Sequence, residues 1–182
     1  MKISSPLLNL IQARSAAKHE GQPPGEQVVL LRDDMESENE NWLLRGPWTR
    51  VQTEDHGKVF ADNAGAGYEA NANVRLVSQP ILLNVHDPRL EFDLKFDTQP
   101  GVDPVTVEIA ENHHDKTLRH NWVELARFSG QSGWGSYALA LNGWEDREVQ
   151  FRFRLQSDAT DQRQGLLVDN VLLSGQKPPT QG

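Results

Sequence analysis

The sequence predicts an all-β fold, an antiparallel jelly-roll β-sandwich of two sheets, on three observations. From residue 26 onward apolar side chains alternate with polar ones instead of recurring at helical spacing. Glycine, proline, asparagine and aspartate interrupt these runs at short intervals. A length of 182 residues gives one domain with a short appendage, and it suits two facing sheets better than a small closed barrel.

Eleven segments carry the alternation: 27–31, 48–53, 59–60, 73–77, 81–83, 89–96, 105–110, 122–128, 134–140, 148–155 and 165–173. In 89–96, Leu90, Phe92, Leu94 and Phe96 alternate with Arg89, Glu91, Asp93 and Lys95, which makes one buried face and one wet face. Phe151, Phe153 and Leu155 against Arg152 and Arg154 repeat the pattern, as do Val105, Val107 and Ile109. Turns fall at Asp62-Asn63, Gln99-Pro100-Gly101, Ser129-Gly130, Asn142-Gly143 and 161–165. Together they delimit a sandwich over 26–175 and a flexible tail over 176–182.

Residues 1–25 read differently. Ser4-Ser5-Pro6 supplies a cap with proline at the first helical position, and Leu7, Leu8, Leu10 and Ile11 follow at near-helical spacing. Arg14, Lys18 and His19 lie at the cationic end, before a Gly/Pro-rich stop at 21–25. This is a short amphipathic helix on an arm, packed on its own domain or docked to a partner protein. A secretory signal beginning at Lys2 is the rival reading. Its apolar run has about half the usual length and is broken by Pro6 and Asn9, so the chain carries no clear signal peptide.

Composition narrows the function. Twenty-six acidic against 18 basic side chains leave a formal charge of −8, which argues against nucleic acid as the main partner. Absence of cysteine removes disulfides, thiolate catalysis and zinc–sulfur sites. No apolar run approaches the roughly 20 residues needed for a membrane-spanning helix.

The order of landmarks from Asp33 onward resembles the jelly-roll modules attached to metallopeptidases of the immune inhibitor A type, a group related to MAM domains. The resemblance rests on Asp33-Asp34-Met35-Glu36, Trp42, Trp48-Thr49-Arg50-Val51, Ala64-Gly65-Ala66-Gly67-Tyr68 and Leu76-Val77-Ser78-Gln79-Pro80. It continues through 89–96, Asp103 with Val105-Thr106-Val107-Glu108-Ile109, Trp122, Gly133-Trp134, 149–154 and Val168-Asp169-Asn170-Val171. Met35 replaces the usual aromatic residue. The segment 111–121, with His113, His114 and His120, replaces a short Gly-rich hairpin, so that loop is this chain's own surface.

The resemblance implies a structural calcium where first and last strands meet, and the matching positions are Asp34, Glu36 and Asp169. Asp169 sits in an apolar run, so its charge must be compensated by a metal, by backbone N–H groups or by an arginine. Among five tryptophans, Trp48 and Trp134 match positions that pack into the sandwich. Trp122 and Trp144 adjoin polar loops and, with His114, are the candidate ligand contacts. His113-His114 would need a turn to share a metal, because neighbours on a strand point oppositely. Gly65-Ala66-Gly67-Tyr68-Glu69-Ala70 fits a loose dinucleotide pattern, but no apolar strand precedes it and no helix follows. No Gly-x-Ser-x-Gly, His-Glu-x-x-His or phosphate loop is present, and no spacing singles out a carboxylate pair.

The expected function is therefore non-catalytic: an extracellular recognition or adhesion module that holds a glycan or protein surface. A structural or decoration subunit of a virion or other assembly, docked through residues 1–25 and homo-oligomeric or larger, is the second reading. An accessory domain of a secreted peptidase is the third.

Overall fold

The computed structural model describes residues 25–63, 66–113 and 120–178. The expected arm over 1–25 and the candidate His114 lie outside the described residues, Gly25 excepted. Among the described residues there are twelve strands and no helix. They are β1 (Gln27–Asp33), β2 (Trp42–Arg45), β3 (Thr49–Thr53), β4 (Gly57–Ala61), β5 (Asn73–Ser78), β6 (Ile81–Leu82), β7 (His86–Asp97), β8 (Val105–Glu111), β9 (Val123–Phe128), β10 (Gln131–Ala140), β11 (Glu148–Gln156) and β12 (Gly165–Gln176). One sheet runs β10-β7-β12-β4-β3, with β1 also on β12; the other runs β2-β5-β11-β8-β9, with β6 also on β11. Every pairing is antiparallel, so the chain is the jelly-roll sandwich that alternation implies.

The period of two decides which side chains meet between the sheets. Leu90, Phe92, Leu94 and Phe96 of β7 point inward, as do Val149, Phe151, Phe153 and Leu155 of β11, and all are buried. Phe92 meets Phe153 edge-on at 5.1 Å between ring centroids, and Trp42 meets Phe151 at 5.7 Å. Each large side chain so buried contributes about 1.5–3 kcal/mol. Met35 is fully buried in this core. β2 does not show in the alternation because it has four residues with adjacent leucines at Leu43-Leu44. Its place is fixed by pairing with β5 and by the indole of Trp42.

β12 positions the surface described below. One edge pairs with β7 along its length. The other edge pairs with β4 at Leu167 and Val168, then with β1 from Val171 to Gln176. Where that partner changes, the register against β7 slips between Asp169 and Leu172, and Asn170 adopts φ 49°. This is a β-bulge, which bends a strand and re-aims its side chains. First and last strands do lie side by side. β12 extends through Gln176, and Lys177 N donates to Glu26 O at 2.8 Å, so Gln176 and Lys177 are hydrogen-bonded to the sandwich.

Candidate functional site

Two outer faces carry organised polar chemistry. On the β7 sheet, Asp93 and Asp169 face each other directly across β7 and β12. The turn between β3 and β4 brings His56 to them: Thr53 Oγ1 accepts from His56 N at 3.2 Å, and His56 Nδ1 lies 2.9 Å from Asp169 Oδ2. The imidazole stacks on Trp134 at 4.0 Å and 18°. Trp134 therefore does not pack into the core as expected; it braces His56, and a register slip in β10 between Ser132 and Gly135 marks its position.

Asn170 ties the carboxylates together. Its Nδ2 donates to Asp93 Oδ2 at 2.8 Å and to Asp169 Oδ2 at 3.1 Å, and its N donates to Asp169 Oδ1 at 2.7 Å. Ser136 Oγ donates to Asp93 Oδ1 at 2.5 Å. Asp169 is 2% exposed. Burial raises its pKa above the ordinary carboxylate value and the charge of Asp93 adds to this, while His56 and the Asn170 N–H pull it back. A cleft of roughly 670 Å³ opens beside the group, lined in part by Asp34, Glu91, Asp93, Ser136 and Asn170.

Of the expected calcium ligands Asp34, Glu36 and Asp169, Asp169 belongs to a cluster of potential ligand atoms among the described residues. Asp34 Oδ1 accepts from Glu36 N at 3.2 Å, and Glu36 Oε1 accepts from Lys58 N at 2.9 Å. Neither contributes to the donor set around Asp169, which is His56, Asp93 and Asp169, with ligand atoms within 4.8 Å of one another. Calcium takes about six to eight oxygens. Here there are two carboxylates and an imidazole nitrogen, and both His56 and Asn170 hydrogen-bond the buried Asp169 carboxylate. Sequence reasoning missed His56 and Asp93: one is a turn residue and the other reads as an ordinary wet-face position. Among the described residues no hydroxyl is hydrogen-bonded to the His56 ring.

The outer face of the β11 sheet holds Trp122. The guanidinium of Arg152 lies against its ring, 4.0 Å from the centroid. Arg152 Nε donates to Glu108, which also accepts from Thr106 Oγ1 at 2.9 Å and lies 3.5 Å from Arg154 Nη1. Burial would raise the pKa of Glu108, but hydrogen bonds from Arg152 and Thr106 outweigh it and hold the carboxyl below its ordinary value. His120 lies 5.9 Å from Trp122, and His113 lies 6.5 Å from His120. The loop singled out as this chain's own surface thus adjoins the candidate tryptophan. Trp144 is partly buried against the core, with Arg147 over its ring at 5.7 Å.

Fold and surface define a β-sandwich module with polar side chains locked on both outer faces. Comparison with known proteins agrees with that class. No family model matches. Bacillopeptidase F of Bacillus subtilis (strain 168) is 27% identical over 139 residues, which are 75% of this chain and 9% of that protein. The K2 cleaved adhesin domain of Lys-gingipain is similar in structure, with TM-score 0.54 and 11% identity over 79% of this chain and 96% of that one. The K3 cleaved adhesin domain of the same protein, from Porphyromonas gingivalis W83, gives TM-score 0.50 and 13% identity over 82% and 99%. The two adhesin domains support the sandwich fold.

Proposed function

We propose that this chain is a non-catalytic recognition module that holds a glycan or protein surface outside the cell, as an accessory unit of a larger peptidase. The observation that carries recognition is Trp122 lying on the Arg152–Glu108 pair. Strand residues fix one aromatic ring and several hydrogen-bonding groups before any ligand arrives, which lowers the ordering cost of binding. The peptidase setting is supported by the sequence match to part of bacillopeptidase F. Trp122→Ala should weaken binding to whatever glycan or protein an array identifies by about tenfold or more. Unchanged binding would remove this face from the function.

Under the same reading, the scaffold at Asp169 is held by His56 rather than by calcium. Melting temperature should then be the same in chelator and in millimolar calcium, while His56→Ala should lower it. A melting temperature that falls with chelator would restore the cation.

A further inference from the structure

We infer that the outer face of the β11 sheet takes an anionic polysaccharide, a sugar chain bearing carboxylate or sulfate groups, along a row of arginines. The inference rests on the recognition reading above and specifies its ligand. Register supplies the row: Arg45 of β2 lies opposite Arg75 of β5, which lies opposite Arg154 of β11, then Thr106 of β8, then Arg127 of β9. Four strand spacings make this row about 19 Å long.

Like charges directly opposite one another across strands destabilise a sheet. Two successive arginine–arginine pairs therefore need a compensating anion, and the chain provides few. Glu124 engages Arg127 through Nη2 at 2.7 Å. Glu108 serves both Arg152 and Arg154. Arg75 Nε is buried without a hydrogen-bond partner, and Arg45, which is exposed, has no ion pair among the described residues. Of the four guanidiniums of Arg45, Arg75, Arg152 and Arg154, Glu108 thus serves two, and Arg45 and Arg75 have no ion pair among the described residues. The charges of Arg154 and Arg75 also act on Arg152, which shows how closely the three are grouped.

This positive patch stands on a chain whose formal charge is −8. The molecule as a whole does not attract polyanions over distance, so a polyanion is held only by contact with this face. Guanidinium forks match carboxylate and sulfate oxygens in paired hydrogen bonds. Trp122, on the same face, offers an aromatic surface for the apolar side of a sugar ring. An acidic peptide strand would seek a sheet edge or a groove; these charges stand on the flat of a sheet beside an aromatic ring.

The experiment measures binding of the whole chain to polygalacturonate, to heparin, to a neutral β-glucan and to polyglutamate. The proteins are wild type, Trp122→Ala and the double variant Arg45→Gln/Arg75→Gln. Neither of these arginines neutralises a buried carboxylate, so the double variant should fold; unfolding curves check this, and exposed Arg45→Glu alone is the fallback. Binding to one or both acidic polysaccharides is expected, weakened about tenfold or more by the arginine variant and by raised salt. Binding to polygalacturonate shows that carboxylate suffices, and binding to heparin alone, which carries both groups, shows that sulfate is needed. Retention of neutral glucan with no effect of the arginine changes would overturn the inference yet leave the recognition reading intact. Polyglutamate held as tightly as the sugars would overturn the glycan assignment. Binding to none of the four polymers would also overturn the inference, and the recognition reading falls separately if a ligand found by array is insensitive to Trp122→Ala.

Discussion

Asp33→Ala should destabilise the fold by about 3–5 kcal/mol, because it strips the acceptor from two buried and two partly buried donors at once. Asp33 is 4% exposed. Its Oδ1 accepts from Met35 N at 2.9 Å, and its Oδ2 accepts from Trp42 Nε1 at 2.8 Å, Asn39 Nδ2 at 2.8 Å and Asn41 Nδ2 at 3.2 Å. The last residue of β1 thereby ties one sheet to the start of β2 in the other. Met35, held by one of these bonds, sits at φ 59°, a conformation that costs a non-glycine residue free energy. It tolerates that conformation while its side chain fills the core. Asp33→Asn keeps one acceptor oxygen and should lose less, about 1–2 kcal/mol. Urea unfolding at neutral pH with an unchanged slope would measure both values. An alanine variant within about 1 kcal/mol of wild type would show that these bonds add nothing over solvent.

How much of this was legible in the sequence depends on the range of the interaction. β7 and β11 follow from alternation, since one period repeated over many residues admits one assignment. β2 does not, because four residues hold too few periods and its place is set by Asp33 nine positions earlier. The need to compensate Asp169 was visible from its apolar neighbours. The compensating partner was not, because His56 lies 113 positions away on a turn and nothing local marks it. The arginine row was likewise hidden: Arg45, Arg75, Arg154 and Arg127 are unremarkable one at a time and become a row only through register across five strands. Trp122 and Trp144 both adjoin polar loops in the sequence, and only the structure shows that Trp122 lies on Arg152 while Trp144 rests against the core.

Stability should change with pH through Asp62, with the opposite sign to a salt-bridged aspartate. Asp62 is 1% exposed, and burial pushes its pKa up to about 6. Oδ1 accepts from Leu166 N at 2.8 Å and from Asn63 Nδ2 at 3.0 Å, while Oδ2 has no hydrogen-bond partner. Gly165, at φ 94°, permits this approach, because a Cβ there would collide with Asp62 Oδ1. The folded protein holds the proton more tightly than the unfolded chain, whose aspartate titrates near 3.8. Between those two values the native state binds more protons, so its stability falls as pH rises through about 4 to 6 and stays lower above that. A shift of about two units converts to about 3 kcal/mol. Other groups titrate in the same range, and Glu108, held low by its arginine, acts in the opposite direction. The clean measurement is therefore the difference between wild type and Asp62→Asn at each pH. Asparagine keeps the acceptor for Leu166 N and cannot ionise, but its amide would place two donors where Oδ2 has no partner. The variant is accordingly expected to be less stable than wild type near pH 4, and to gain on it by about 2.5 kcal/mol by pH 7.5. A difference that stays flat across that interval would mean the buried carboxylate ionises as easily in the folded protein as in the unfolded chain.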